Sequence, residues 1–484
     1  MNYTVLLKQH IGAPCTPVVK AGDKIARGQL IAEATGLGSP IHSPFNGMVS
    51  SIEENAIIID ADKNQTEDFI KLDGQDDRSL LAESGLVGMG GAGFPTHVKC
   101  NIDLKGGCIL VNAAECEPFL EHNIRYLEKD APKIIEGIKL VKHICNAKEA
   151  VIAIKAKHER AVEVIDRLCA GEEGIRYYLL PNIYPVGEER AVVREVLGKL
   201  LATTELPSVA GAVVINVETV QRLAEAVIDR RPVITKNISV AGKLKGGVHT
   251  RVFYDVPVGT TVRELIERAG GIDGEYGEII LGGPFTGHAV SLDTPITKTS
   301  GGIIVTQPFP DLKKAKTGIL ICACGGNEDR MRDIAKKMNA EVVLVQTCKQ
   351  AVENKGTYKC ENPGNCPGQA QKCMNVKKAG CTHIIIGNCS DCTNTVMGSA
   401  PKLGLQVHHQ TDHVFDTMGV ERMRYLNVPK TVPQPGELSI EQGREGENSL
   451  KGFEYKISRE VNGGVLVIEI KEGKDIEIEL PLSL

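Results

Sequence analysis

Two groups of residues in this sequence carry chemistry. The first is the run Gly85-Leu86-Val87-Gly88-Met89-Gly90-Gly91-Ala92-Gly93-Phe94-Pro95-Thr96-His97-Val98-Lys99, which holds five glycines, an aromatic, a helix-starting proline and a lysine about one turn further on. Glycines admit φ > 0 and bring a backbone close to a ligand with no Cβ in the way, while unpaired N–H groups at a helix start attract an anion. The run therefore reads as a phosphate cradle with Lys99 in reach of the phosphate; its bland counterpart is a glycine-rich surface turn. The second group is sulfur. Of 15 cysteines, nine fall between Cys322 and Cys392, too many for ballast and too uneven for a small disulfide scaffold.

Three apolar stretches, beginning at Gly318, Val342 and His383, run into Cys322-Ala323-Cys324, Cys348 and Cys389-Ser390-Asp391-Cys392. Helix-compatible stretches follow, such as Asp329 to Met338 and Thr393 to Leu403, so the strands should be parallel. The carboxyl ends of parallel strands share one edge of a sheet, which brings Cys322, Cys324, Cys348, Cys389 and Cys392 together as a redox site. Cys389 and Cys392, lying between a strand and a helix, also read as a thioredoxin-like dithiol whose first thiolate the helix dipole favours.

Positioning elements surround the glycine run. A short strand Cys108-Ile109-Leu110 leads into Val111-Asn112-Ala113-Ala114-Glu115-Cys116-Glu117-Pro118; Gly187-Glu188-Glu189 and Asn216-Val217-Glu218-Thr219 come later. Ile134 to Lys142 has helical apolar spacing, Val151 to Lys155 reads as a buried strand, and Arg190 to Leu201 as a helix. Alternation of this kind suits an α/β layer over residues 77–235.

In this order the four pieces resemble the flavin and NADH site of RnfC, a component of Rnf complexes, and of the NADH-binding flavoprotein of respiratory complex I. The resemblance covers roughly Ser84 to Val305 and implies flavin mononucleotide and NADH as cofactors. It assigns Gly88, Gly90, Gly91, Gly93, Phe94 and Lys99 to the cofactor phosphate and ribityl side, and Asn112, Glu115 and Glu117 to the flavin edge. Asn216 and Thr219 would close the far side, and Glu188 and Glu189 would face the nicotinamide nucleotide. Hydride transfer needs oriented rings and excluded water more than a general base, so none is assigned. Met89, Ala114 and Ile215 depart from the complex I pattern, which bears on NADH more than on flavin.

The rest of the chain sets the frame. At 484 residues with 42% hydrophobic and 24% charged composition, several domains of ordinary globular character are expected. A net charge of −5, no tryptophan and 4% aromatics argue against nucleic acid. No apolar run suits a transmembrane helix and no signal-peptide pattern opens the chain, so the expected location is cytoplasmic, or peripheral to the inner face of a membrane. Residues 1–76 look like a barrel-sandwich, lipoyl-like domain, also found at the start of RnfC. It has no lysine between Gly36 and Gly47, hence no swinging arm, and His42 reads as a hydrogen-bonded turn residue. Residues 236–310 resemble a ubiquitin-like (β-grasp) soluble-ligand-binding module, with Thr260 or Thr261 as a helix cap and Glu264 three residues past Thr261. Residues 311–428 form the cysteine-rich α/β domain, and 429–484 a polar linker with a β tail around Asn462-Gly463-Gly464. Cys15, Cys100, Cys108, Cys145 and Cys169 read as small core residues.

RnfC continues into ferredoxin-type cysteine runs, and nothing here matches them. Instead Cys322-x-Cys324-Gly325, Cys366-Pro367-Gly368-Gln369 and Cys389-Ser390 resemble the cysteine domain of the HdrA component of heterodisulfide reductase and of the small iron-sulfur proteins linked to hydrogenases. That resemblance implies an iron-sulfur cluster on Cys322, Cys324, Cys366 and Cys389. Cys360, Cys373 and Cys381 stay open as further ligands, zinc ligands or bystanders. The whole arrangement resembles the proline reductase-associated electron-transfer proteins of amino-acid-fermenting anaerobes. It implies an NADH-linked oxidoreductase component feeding proline reductase or a related reductase, with a membrane Rnf complex as a second partner. A flavin-free thiol-disulfide oxidoreductase and a non-enzymatic adaptor are the alternatives.

Overall fold

The computed structural model describes residues 1–91, 93–247, 250–354, 357–424 and 429–435, together with the backbone of three strands beyond them. Met1–Pro435 forms one compact unit and Gly436–Leu484 another. No described helix is long and apolar enough to cross a membrane.

The N-terminal part folds from short strands because its turns come every few residues. Asn2–Leu6, Ala56–Ala61, Gly47–Glu53 and Lys24–Ile25 form one antiparallel sheet, and Thr16–Pro17, Leu30–Glu33 and Ile41–His42 another. Alternate residues point inward, so Val5, Ile31, Val49, Ile57 and Ile59 share one core. His42 departs from expectation. It is a buried strand residue whose Nδ1 has no partner among the described residues, and burial holds its pKa down at about 3.

The flavin-type layer is a four-stranded parallel sheet in the order Ile175–Leu180, Glu149–Lys155, Cys108–Ala113 and Ala212–Asn216. Its strands are near-continuous apolar runs because both faces are covered. On one face Ile109, Val111, Ile152 and Ile154 pack under the helices His122–Ile144, Glu159–Cys169 and Val217–Ile228. On the other, Leu110, Val151, Ala153 and Val214 meet Val192 and Val193 of the helix Glu189–Leu197. That helix stops short of the expected Leu201, because Gly198 takes the left-handed conformation (φ +68°) that ends it.

A five-stranded mixed sheet follows, in the order Thr250–Pro257, Thr235–Gly242, Gly302–Val305, Ile279–Leu281 and His288–Ala289. It carries one helix, Val262–Arg268, whose start Thr261 caps by accepting from the Glu264 N–H. The cysteine-rich part is a second parallel sheet, ordered Glu341–Thr347, Lys316–Ile321, His383–Ile386 and Gln406–His409. Three of these are the strands read from sequence; Gln406–His409 and the hairpin Ala351–Asn354/Thr357–Cys360 were not. The helix expected over Thr393 to Leu403 runs instead Ser390–Met397 and resumes as a single turn, Pro401–Leu403, since proline cannot continue a helix. In the second unit, Tyr455–Ile457, Val465–Ile470 and Lys474–Glu479 form an antiparallel sheet. The Asn462-Gly463-Gly464 turn and most of the expected linker lie outside the described residues.

Candidate functional site

The carboxyl edge of the flavin-type sheet and the glycine run enclose a cavity of about 510 Å³. Gly88, Gly90, Gly91 and Lys99 line it from the loop, Asn112, Glu115 and Glu117 from the strand that precedes them, and Glu188, Glu189, Asn216 and Thr219 from the later turns. Asn112 and Asn216 pair in register at the ends of neighbouring strands, which is why segments a hundred residues apart meet here.

Local hydrogen bonds shape the loop. The Gly88 N–H donates to the Phe94 carbonyl (2.8 Å), Gly93 donates back to Gly88 (3.1 Å), and Met89 donates to Thr219 Oγ1 (2.9 Å). Among the described residues the N–H groups of Gly90 and Gly91 meet no protein acceptor, and Gly91 (φ +118°) has nothing within 4 Å of where a Cβ would stand. The loop thus offers free donors and open space, the requirements of an anion cradle. Gly93 and Phe94 differ from expectation and do not line the cavity. A Cβ on Gly93 would meet Thr299 Cγ2 at 2.9 Å, so this end of the loop packs against protein.

The polar side chains are largely held by one another. Lys99 ends a single helical turn, Thr96–Lys99, which Pro95 precedes. Its ammonium lies 2.6 Å from Glu189 Oε1 and 2.9 Å from the Val214 carbonyl, so its charge reaches the cavity already paired. Glu188 caps the helix Glu189–Leu197 by accepting from the Arg190 and Ala191 N–H groups, and Asn216 caps Val217–Ile228. Asn112 donates to the Gly187 carbonyl (2.8 Å) and accepts from the Ala114 N–H (3.1 Å). Glu117 accepts from the Phe285 N–H (2.9 Å), the Thr286 N–H (2.9 Å) and Thr286 Oγ1 (2.6 Å), which ties this site to the mixed sheet. Glu115 accepts from Asn123 (2.8 Å); burial raises its pKa to about 7 and pushes that of Glu117 up as well.

The sulfur site forms at the carboxyl edge of the second parallel sheet. Cys322 stands at the hub, with hydrogen bonds from the thiols of Cys324, Cys348, Cys389 and Cys392 that hold its own pKa well below the thiol range. Cys324 also joins Cys360, and Cys366 joins Cys392. Donation from Cys392, helped by Thr395, Gln369 and the Gly368 N–H, lowers Cys366 to about 6. Cys389 stands at the N-cap position of the helix Ser390–Met397 without a side-chain capping bond, and its contact with Cys322 and its burial push its pKa up. Cys373 and Cys381 lie apart, in the core with Leu320 and Ile384. All the cysteines are free, and among the described residues no three His, Cys, Asp or Glu side chains converge as a ready metal-ion site.

The two sites adjoin. Cys324 and Cys360 line the glycine-loop cavity. Tyr184 stacks on Phe285 (3.6 Å between ring centres, 6° apart), and this pair packs with Cys389 and Cys392. Tyr184 and Phe285 were missed in the sequence, where only the Tyr184-Pro185-Val186-Gly187 turn leading into Glu188 marked the neighbourhood; Cys116 was read within the flavin motif, with no redox role.

Residues 1–75 match the family model of the RnfC barrel sandwich hybrid domain, and residues 81–225 that of the Nuo51 FMN-binding domain. The architecture is thus mixed α/β with a barrel-sandwich hybrid domain at the start and an FMN-binding-type domain after it. The chain belongs to the RnfC family. It is 31% identical over 316 residues to the RnfC component of the Na+-translocating complex of Acetobacterium woodii, covering 61% of this chain and 71% of that one. Against its counterpart in the proton-translocating complex of Clostridium ljungdahlii it is 33% identical, covering 62% and 69%. The cobalamin reductase PduS of Salmonella typhimurium is 38% identical over 229 residues, 47% of this chain and 49% of that protein. A solved NAD+-reducing NiFe-hydrogenase is 22% identical with a TM-score of 0.41, covering 48% of this chain and 47% of that chain.

Proposed function

We propose that this protein is an electron-transfer flavoprotein that holds FMN at the glycine loop and passes electrons to the cysteine site and on to a reductase. The observation that carries this reading is that Cys324 and Cys360 stand in the lining of the glycine-loop cavity. FMN, when bound, supplies a carrier that takes up a hydride pair and releases electrons singly. The free N–H groups of Gly90 and Gly91 would hold its phosphate, and the pairing of Lys99 with Glu189 sets the charge beside it. Glu188 and Glu189 bound the side on which NADH, or another reduced carrier, would approach.

The thiols of Cys322, Cys324, Cys366 and Cys389 would hold an iron-sulfur cluster, and donors such as Gln369 on the Cys348 (3.2 Å) and Cys366 (3.4 Å) sulfurs are of the kind that tune one. A dithiol reading has its own support: the thiols bond one another, and Cys366 is held near pKa 6 beside Cys392. Likeness to the proline reductase-associated protein PrdC makes proline reductase the acceptor to try first, with a membrane Rnf complex as the alternative partner and the cytoplasmic face as the location.

Anaerobic purification and reconstitution with FMN, iron and sulfide test the reading. A flavin band bleached by NADH, with iron and sulfide bound, is the expected result. Protein that binds no flavin after reconstitution refutes it, and flavoprotein with two reactive thiols but no iron selects the dithiol form.

A further inference from the structure

A second cavity, of about 640 Å³, shares Glu115, Cys116, Glu117, Leu120 and Tyr184 as a wall with the first. Its basic end grows from the carboxyl edge of the flavin-type sheet. Lys155, the last residue of the strand Glu149–Lys155, lines this cavity, is only 3% exposed, and its ammonium makes no hydrogen bond or ion pair with any described residue. The nearby carboxylates Glu115 and Glu117 act on it at longer range, while their hydrogen bonds go to Asn123 and to the Phe285-Thr286 turn.

Lys157 comes next, and the helix Glu159–Cys169 then starts with His158 at its cap position and no side chain capping its first N–H groups. His158 Nε2 is a second buried polar atom without a partner; burial lowers its pKa to about 4, so the ring is neutral at pH 7. Lys157, His158 and Arg160 all line the cavity. The opposite end is aromatic: Phe119 and Phe415 meet edge to face at 5.2 Å between centres, beside Tyr184.

We propose that this cavity binds a small aromatic phosphate ester, with the phosphate on Lys155 and the start of the helix Glu159–Cys169 and the aromatic body against Phe119 and Phe415. A buried ammonium with no hydrogen-bond acceptor is costly, and a phosphate supplies the acceptors it lacks. Open N–H groups at a helix start are a ready anion seat. Three cations around that seat suit a doubly charged head better than a single carboxylate. Of the remaining carboxylates in the lining, Glu121 is paired with Arg125 (2.5 Å), and Glu128 and Glu421 are the others.

Full-length protein, wild type and Lys155→Met, is titrated with phenyl phosphate, AMP and inorganic phosphate, following melting temperature, binding heat and flavin content. Phenyl phosphate or AMP should raise the wild-type melting temperature and bind about 10- to 100-fold more weakly to Lys155→Met, as loss of a charge-assisted contact implies. Lys155→Arg should restore binding, and flavin content should not change. Absence of binding by both esters up to about 10 mM, equal affinity for the two proteins, or displacement of flavin overturns the proposal. Inorganic phosphate binding as tightly as the esters overturns the aromatic assignment. Should Lys155→Met not fold, the exposed Lys157→Ala and Arg160→Ala variants carry the test: each should weaken binding by up to about fivefold, and unchanged affinity in both overturns it.

Discussion

Tyr184 and Ser390 exchange two hydrogen bonds: the Tyr184 N–H donates to Ser390 Oγ at 2.9 Å, and the Ser390 N–H donates to the Tyr184 carbonyl at 3.1 Å. Tyr184 begins the turn that leads to Glu188 and Glu189, and Ser390 follows Cys389 directly. The glycine-loop cavity and the sulfur site are therefore set against each other in part by backbone and one hydroxyl, alongside Arg190 and Arg194, which reach the Cys360 carbonyl and the Asn362-Pro363 turn. Short, fixed separation is what electron transfer between two sites requires of a protein.

Ser390→Ala leaves the buried Tyr184 N–H without its acceptor, which should cost about 1–3 kcal/mol of stability. Flavin content should stay at the wild-type level, while reoxidation of reduced flavin through the thiol site slows in anaerobic stopped-flow measurements. A variant as stable and as fast as wild type would show that this bond does not couple the sites.

Gly91→Val places a β-branched side chain at φ +118°, where the Cβ points into open cavity. The strain is about 1–3 kcal/mol, and the added methyl groups occupy space that a cofactor would fill. Combined with Lys99→Ala, which frees Glu189 from its partner, the substitution should abolish flavin absorbance after reconstitution. The number of titratable thiols should not change. Full flavin occupancy in the double variant would remove the glycine run from the account.

How far the sequence led can be judged residue by residue. Alternating apolar runs that end in Cys322, Cys348 and Cys389 placed those thiols on one edge, since parallel strands leave little freedom in where their ends lie. Gln406–His409 was not legible, because Gln406, His408 and His409 give it no apolar run and tertiary pairing with His383–Ile386 makes it a strand. Asn354-Lys355-Gly356-Thr357 between alternating residues could have marked the hairpin that delivers Cys360. Which thiol is charged could not be read from spacing at all. Helix position favoured Cys389, whereas the convergence of Cys324, Cys348, Cys389 and Cys392 on Cys322, which lowers the Cys322 pKa, is known only from the fold.

Glu117 was read as a flavin-edge residue and is found bonded to the turn of the mixed sheet. Removing it in Glu117→Ala strands the Phe285 and Thr286 donors, with an expected destabilisation of about 1–3 kcal/mol. Gly283→Ala should have a similar effect with the carboxylate still present, because a Cβ there would stand 2.3 Å from Glu117 Oε2. Limited proteolysis and thermal melts check both. If the two variants lose flavin yet keep full stability, Glu117 acts on the cofactor and not on the turn.

Glu278 holds the cysteine-rich part to the mixed sheet. Only 5% exposed, it accepts from Arg330 Nη2 (2.5 Å), Lys337 Nζ (2.7 Å) and His413 Nε2 (2.8 Å), which come from two different helices. These donors outweigh its burial and hold its carboxyl far below the usual range. A carboxylate with a depressed folded-state pKa contributes stability that is complete above its unfolded pKa, about 4.3, and is lost as pH falls below that value. Burial likewise holds His413 below the usual imidazole range, so its share begins to fall below about pH 6.5, in the same direction. Melting temperature should therefore drop from about pH 6.5 downward and steeply below about pH 4.3. Glu278→Gln leaves Arg330 with only the longer contact to Asp333 (3.3 Å), should lower stability at neutral pH, and should flatten the acid limb of the curve. An acid limb of wild-type steepness in Glu278→Gln would assign the transition to other carboxylates, such as Asp255 beside Arg222.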